Sequence, residues 1–466
     1  MIHPIYLKLS VEEKNYLQAL ATKQPDIFKM ERPYNEDEVM ANIGITALDP
    51  NRPEGYLKLY PQDFVVEEVR TNNHSSQVEI ENEAPRNQPR NAKFTLYADL
   101  IKVGISTIEA VDQLATKLDI RPNKIGYAGI KDTNALTSQS IALPKISFDR
   151  IKDIQLKNMF LANLAYGGGF ISKGSLAGNK FTIFIRTEKQ IVIEELTAKL
   201  GQIKKEGFLN YYHNQRFGSP RFISHYLGKM ILQRDYAGVI KLFLTEVGPY
   251  SINLTKNIRQ ATLAHYGDWT EMKRQFEPLA SIFRIEMDVL NYLEENPKDF
   301  IGALVAIKDQ TRIWVYAYSS WLFNKYISKL IAQGRDIPEN LPLLLSDDSD
   351  DIELYQEWLE IDNIQDIELA ISPFDFLELR KRPTPTKIFP QNIMIIPTNE
   401  GVICHFYLGK GAYATTFLSG LFKLNDGLPY PTWLKKTPGD VKKFLNIGSI
   451  APAINRLKEY IIKPEK

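Results

Sequence analysis

GYAGIKDTNALTSQ, residues Gly126–Gln139, sets small residues, a lysine beside an aspartate, and a run of hydroxyls and amides in one short stretch. No apolar period of 2 or 3.6 runs through it, so it is not ordinary core. Asp132 follows a glycine turn, which lets its carboxylate project into a cleft while Lys131 points elsewhere.

The flanking sequence gives this stretch a frame. Ser106-Thr107-Ile108-Glu109 is a capping box, and Ile108, Val111, Leu114 and Leu118 share one helical face. Before it, Lys93–Gly104 reads as a strand. Earlier still, Gly55–Arg70 enters a strand through a turn at Pro61-Gln62-Asp63, with Phe64-Val65-Val66 suited to a buried sheet. Residues 71–91 are polar with two prolines and read as a long mobile loop. After the opening stretch come a glycine-bounded strand, Phe170–Arg186, and a helix over Val192–Glu206 capped by Gly207. From about Phe222 to Lys387 long helical segments dominate. Strand character returns at Asn392–Leu408. This pattern predicts a helix-rich domain inserted into a strand-rich one.

The chain has 466 residues and a net charge of +1, so any phosphate-binding surface must be a local patch. Asp347–Glu368 holds many carboxylates and no Lys or Arg. Arg380-Lys381-Arg382, Lys435-Lys436 and Lys442-Lys443 are basic. These basic clusters, not the acidic stretch, are expected to attract phosphate. One cysteine, Cys404, excludes an internal disulfide framework and a cysteine-based zinc site, and fits a cytoplasmic protein. Neither a secretory signal nor an apolar run of ~18 residues is visible. Cys404 and His405 are adjacent and point to opposite faces of a strand, so they cannot share a metal. GSLAGNK (Gly174–Lys180) lacks the spacing of a phosphate loop, and GKGAYA (Gly409–Ala414) has no βαβ unit around it. No metal or cofactor is expected.

NYYHNQRFG, Asn210–Gly218, is the second chemical segment. Asn210, Gln215 and Arg216 suit a base edge or a phosphate, and Tyr211, Tyr212 and Phe217 offer flat surfaces for stacking. One carboxylate with aromatics and amides is what an enzyme needs to hold an extruded nucleobase and attack its sugar or ring. A glycine turn bearing Lys-Asp is also an ordinary turn, so the residues alone leave both readings open.

Six segments together resemble the TruD family of pseudouridine synthases. GYAGIKDTNALTSQ resembles the family signature. LKLYPQDFVVEE (Leu57–Glu68) is similar to its early Pro-x-Asp-Phe segment, and GSLAGNKFTIFIR to its Gly-Asn-x-Phe strand. NYYHNQRFG, YSSWLFN (Tyr318–Asn324) and FYLGKGAYATTFL (Phe406–Leu418) follow in the family's order. The resemblance implies an α+β fold: a circularly permuted pseudouridine synthase core of mixed, largely antiparallel sheet with helices, and an inserted α/β TRUD domain. The expected division is an N-terminal extension over 1–50, the core over 51–225, the insertion over 226–388, and the rest of the core with a tail over 389–466. A positively charged cleft receiving tRNA, and a monomer, are also implied.

By the same resemblance Asp132 is the essential aspartate, acting on C1′ of a uridine as nucleophile or as base. It must be ionised, and burial without a partner would raise its pKa, so a cation is expected beside it. Lys58 matches the family's active-site lysine. Asn210 would hold the uracil or its loop, Tyr212 would pack on the base, Arg216 and Phe217 would line the pocket, and Glu67 would order the strand after Lys58. Three departures stand out: Tyr212 replaces a phenylalanine, His213 a glycine, and Ser419-Gly420 an Arg-Glu pair. The first fifty residues and the 71–91 loop have no counterpart. Two alternatives stay open: a synthase for another RNA, and a non-catalytic RNA-binding protein on the same fold.

Overall fold

The computed structural model describes residues 9–46, 48–89, 93–344, 349–378, 380, 383–427 and 430–461. They divide into two compact units: 51–208 with 388–461, and 9–50 with 209–387. The chain thus leaves the first unit at Phe208, ahead of the expected division after residue 225, and residues 9–50 belong with the helical unit rather than standing as an extension.

The first unit is built on a mixed sheet. Its strands are β1 (Phe64–Arg70), β2 (Thr95–Lys102), β3 (Leu136–Pro144), β4 (Met159–Gly167), β5 (Leu176–Arg186), β6 (Gln391–Thr398) and β7 (Gly401–Gly409). They lie in the order β6-β7-β5-β1-β3-β2-β4. Only β1 and β3 pair in parallel; every other step along this path is antiparallel. Side-chain alternation gives β1 two distinct faces. Phe64 and Val66 join Phe181, Ile183 and Phe406 in one core cluster, while Val65 joins Phe184, Ile403 and Val441 in another. Gly178 on β5 is required by close approach: a Cβ there would lie 2.2 Å from the Leu408 carbonyl oxygen.

Thr107–Leu118 is helical, with the Ser106–Glu109 capping box formed. Its buried face is Thr107, Ala110, Val111, Leu114, Ala115 and Leu118; Ile108, expected on that face, is exposed because the stripe begins one residue earlier. Ile193–Glu206 ends at Gly207, whose φ of 74° suits glycine. Asp63 of the Pro-x-Asp-Phe segment is wholly buried. It takes two bonds from the buried Arg186 guanidinium, at 2.9 and 3.1 Å.

Residues 71–89 are irregular, as expected of a loop, and are hydrogen-bonded to the sheet unit at several points. Ser76 N–H donates to the Glu68 carbonyl, Gln77 N–H to Asp99, Leu164 N–H to Asn82, and the Asn87 amide to the Tyr166 carbonyl. Val78 is fully buried.

The helical unit centres on a 25-residue helix, Lys308–Ala332. Ser224–Leu232 crosses it backbone to backbone: a Cβ on Gly228 would meet the Trp314 carbonyl oxygen at 2.0 Å. A short ribbon pairs Asn340–Pro342 with Pro383–Pro385. The helix Val11–Lys23 inserts Leu17 into the same core as Phe283, and Glu13 accepts bonds from the Ser281 N–H and hydroxyl. The basic clusters fare differently. Lys442 is buried, Arg380 pairs with Glu378, and Lys381 and Arg382 lie outside the described residues. Among the described residues no helix is long and apolar enough to cross a membrane.

Candidate active site

Two segments of the sheet unit bring Lys58 and Asp132 together. Lys58 has φ of 56°, the left-handed region that side chains rarely adopt, at a cost of roughly 1–2 kcal/mol. Its ammonium lies 4.3 Å from the Phe64 ring centroid and 3.2 Å from Asp132 Oδ2. The two side chains keep 14% and 26% of their surface exposed, so the pair is reachable by a substrate. A pair that wet contributes little stability; what it supplies is a cation beside an accessible carboxylate.

The loop presenting Asp132 is held at almost every peptide. Ala128 O accepts from Gly174 N–H at 2.7 Å, and Gly129 O from the Gln139 amide at 3.0 Å. The Lys131 N–H donates to Thr107 Oγ1 at 2.9 Å, and Thr107 in turn bonds Gln139. Thr133 O accepts from Gly104 N–H at 3.0 Å. The wholly buried Lys102 ammonium donates to Asp132 O at 2.9 Å and to Ile105 O at 2.8 Å. A loop fixed at this many points positions its carboxylate without waiting for a ligand.

Lys131 turns inward, away from Asp132's open side. Its ammonium sits 2.7 Å from Glu68 Oε2 and donates to Asn179 Oδ1 at 2.7 Å. Burial pushes the Glu68 carboxyl up, with the Lys131 ammonium pulling the other way. Glu68 and Asn179 are register partners on β1 and β5 and share this face of the sheet.

Glu67 stands on the opposite face. It accepts from the Lys442 ammonium at 2.8 and 3.0 Å and from Val78 N–H at 3.0 Å. Glu79 joins the same ammonium at 2.7 Å. Burial works against a charge on Lys442, yet Glu67 and Glu79 hold its pKa above the usual lysine value. Glu67 is therefore not brought to the Asp132 side of the sheet, because strand alternation gives that side to Glu68. A cavity of about 470 Å³ adjoins this rear cluster, lined by Glu67, Lys180, His405 and Lys442 among others. On β7, Cys404 is buried in one core cluster, while His405 Nδ1 bonds Thr182 Oγ1 at 2.9 Å on the other face.

Asn210, Tyr212, Arg216 and Phe217 belong to the helical unit. Asn210 is buried, its amide donating to Pro385 O at 2.8 Å and its N–H to Thr386 O at 2.8 Å. Tyr212 is half-buried. Its backbone N–H and carbonyl both bond the Asn324 side chain, at 2.9 and 2.8 Å, which accounts for Asn324 in the YSSWLFN segment. The Arg216 guanidinium carbon lies 5.2 Å from the Tyr212 ring centroid. Phe217, expected to line a pocket, is wholly buried and packs edge-on against His225 at 5.3 Å between centroids. It is core of the helical unit.

Sequence reasoning passed over Lys102, Glu68, Asn179 and Thr107. Gln139, the last residue of the opening stretch, was the available signal for a loop bonded to itself. Among the described residues no group of three or more His, Cys, Asp or Glu could hold a metal. What the site offers is one accessible carboxylate, held by a cation and a rigid loop. That is suited to nucleophilic attack or to taking a proton.

The profile of the TruD family, tRNA pseudouridine synthase D, matches residues 41–351. A Thermococcus onnurineus relative carrying the name tRNA pseudouridine synthase D is 30% identical over 62% of this chain and 64% of its own length. A Methanocaldococcus jannaschii relative, named tRNA pseudouridine synthase D 1, is 26% identical over 80% of this chain and 96% of its own. The match thus spans less than two thirds of the first relative and nearly all of the second. A crystal structure titled as a tRNA pseudouridine synthase D from Methanosarcina mazei superposes with a TM-score of 0.61 at 23% identity. It covers 85% of this chain and 99% of that one, a likeness of fold.

Proposed function

Because the chain belongs to the tRNA pseudouridine synthase D family, we propose that it isomerises uridine to pseudouridine in transfer RNA, at position 13 of the D-arm. The observation that carries this reading is the accessible Asp132 carboxylate, 3.2 Å from the Lys58 ammonium on a loop bonded at nearly every peptide. In the reaction the C1′–N1 bond breaks, the uracil turns, and C5 bonds to C1′. The proton lost from C5 is balanced by one gained at N1, so nothing is added or removed.

Asp132 acts on C1′ as nucleophile, or takes a proton from the sugar in an elimination route. Either role needs the carboxylate ionised, and Lys58 favours that form. Arg216 is assigned to the RNA as a cation and Tyr212 to the face of a base, in keeping with single-base recognition by stacking, while Asn210, its amide held on Pro385 O, is assigned to the loop that carries Tyr212. Nothing in this chemistry calls for a redox cofactor.

The test is carbodiimide labelling and reverse transcription on an unmodified tRNA transcript treated with the wild-type protein. A stop at uridine 13, lost when that uridine is changed to cytidine, is the expected result. Product at another uridine would keep the chemistry and move the target. No product from protein that still binds tRNA in a salt-dependent way would favour a non-catalytic RNA-binding protein instead.

A further inference from the structure

Lys102 ends β2 with 0% of its surface exposed. A buried ammonium is normally paired with a carboxylate. Here, among the described residues, its hydrogen bonds all go to backbone carbonyls: Ile105 O at 2.8 Å, Asp132 O at 2.9 Å and Lys131 O at 3.5 Å. Those carbonyls come from two segments, the entry to the Thr107–Leu118 helix and the loop that presents Asp132. Three donors converging from one side chain tie the segments together. A neutral side chain of the same length would fill the space and leave the carbonyls without donors.

We propose that Lys102 is a positioning residue for the isomerisation: its protonated ammonium clamps the backbone of Asp132 so that the carboxylate is presented to C1′, and loss of that proton, which removes one of three donors and the charge that strengthens the other two, loosens the clamp. The proposal rests on the synthase reading above.

The surroundings set when the clamp opens. Burial pushes Lys102 down to about 8, with Asp132 pulling it up, Lys131 pushing it down and Glu109 pulling it up. Those are the charged groups facing it from the loop and from the helix, with Lys58 beyond Asp132. The neighbouring strands set Thr137 and Met159 opposite it, and neither titrates in this range. The sign of the linked stability follows. Above pH ~8 the folded chain loses a proton that the unfolded chain still holds, so this group makes stability rise with pH up to the ordinary lysine range. A clamp therefore predicts activity falling while this group's contribution to stability rises, whereas a merely structural lysine leaves activity flat over the same range.

The experiment is the single-turnover rate constant for pseudouridine formation between pH 6 and 10, with urea midpoints alongside, for wild type and Lys102→Met. The wild-type rate is expected to fall up to about tenfold per pH unit above pH ~8 with tRNA affinity unchanged. Lys102→Met is expected to be about 100-fold slower at pH 7, the size of a small misplacement of a reacting group, and to lack that limb. The stability difference, wild type minus variant, is expected to rise across the same pH range. A wild-type rate that stays flat through pH 9, or a limb that persists unchanged in Lys102→Met, overturns the assignment. Should Lys102→Met not fold, the wild-type profiles decide alone: a rate that falls above pH ~8 while the urea midpoint holds or rises supports the clamp, and a flat rate, or one that falls only as the midpoint falls, overturns it. No product from wild type at any pH sinks the synthase reading and this assignment with it, whereas product with a flat profile sinks only the assignment.

Discussion

The two faces of β1 carry adjacent glutamates, each paired with a buried lysine, and the two pairs serve different ends. On one face Glu68 meets Lys131, whose neighbour Asp132 reaches solvent beside Lys58. On the other, Glu67 meets Lys442 from the C-terminal segment, with Glu79 on the same ammonium. The first pair anchors a loop whose next residue is open to solvent. The second fastens the strap over residues 71–89 and the C-terminal helices to the rear of the sheet. Residue type did not decide this; strand parity did. One step along the chain converts a support of the reacting loop into a fastening of the fold.

Breaking the front face at its exposed end has the largest expected effect. Asp132→Asn should lower the rate of pseudouridine formation at least about a thousandfold, as loss of a reacting group does. Its unfolding free energy should change by no more than about 1 kcal/mol, because the Lys58–Asp132 pair is partly exposed. Single-turnover kinetics with urea unfolding checks both halves; a large loss of stability would mean that Asp132 is part of the scaffold.

Removing the buried cation on either face comes next. Lys131→Met and Lys442→Met each leave buried carboxylate without its partner and should each cost about 3–5 kcal/mol in urea unfolding. A much smaller cost for Lys442→Met would mean that Glu67 and Glu79 find water or another donor, and the fastening would lose its basis.

His405, on the rear face, sharpens the comparison by its smallness. Burial lowers its pKa against the pull of Glu67. The unfolded histidine takes a proton as pH falls below ~6.5 while the folded one resists, so stability due to neutral His405 is present above that pH and lost as pH falls. Discounted for partial exposure, His405→Gln should remove only a few tenths of a kcal/mol of this acid dependence, and pseudouridine formation at pH 7 should be unchanged. A loss of activity there would bring the rear face into the reaction.

Much of this was legible beforehand. The Ser106–Glu109 capping box, the glycine-ended helix at 193–206, the return of strands after residue 391 and the pairing of Lys58 with Asp132 all follow from local pattern and from the resemblance. What escaped required knowing which way a strand faces or what a side chain packs on. Glu67 and Glu68 are indistinguishable until β1 has a core on each side. Phe217 reads as a stacking surface in NYYHNQRFG, yet the helix that follows buries it against His225. Lys102 reads as a polar strand end, because its partners are carbonyls, which no side-chain pattern reveals. Residues 9–50 hold a capping box at Ser10–Glu13, but only tertiary packing shows that Leu17 and Glu13 belong to the helical unit.

The most direct measurement is the single-turnover rate constant for pseudouridine formation by Lys131→Met and Lys442→Met, compared at a temperature and urea concentration where both are folded. The division of β1 into a reacting side and a fastening side predicts a loss of about 100-fold in that rate constant for Lys131→Met, by displacement of the Asp132 loop, and a rate within about threefold of wild type for Lys442→Met. Equal losses in the two variants, or the larger loss in Lys442→Met, would contradict it.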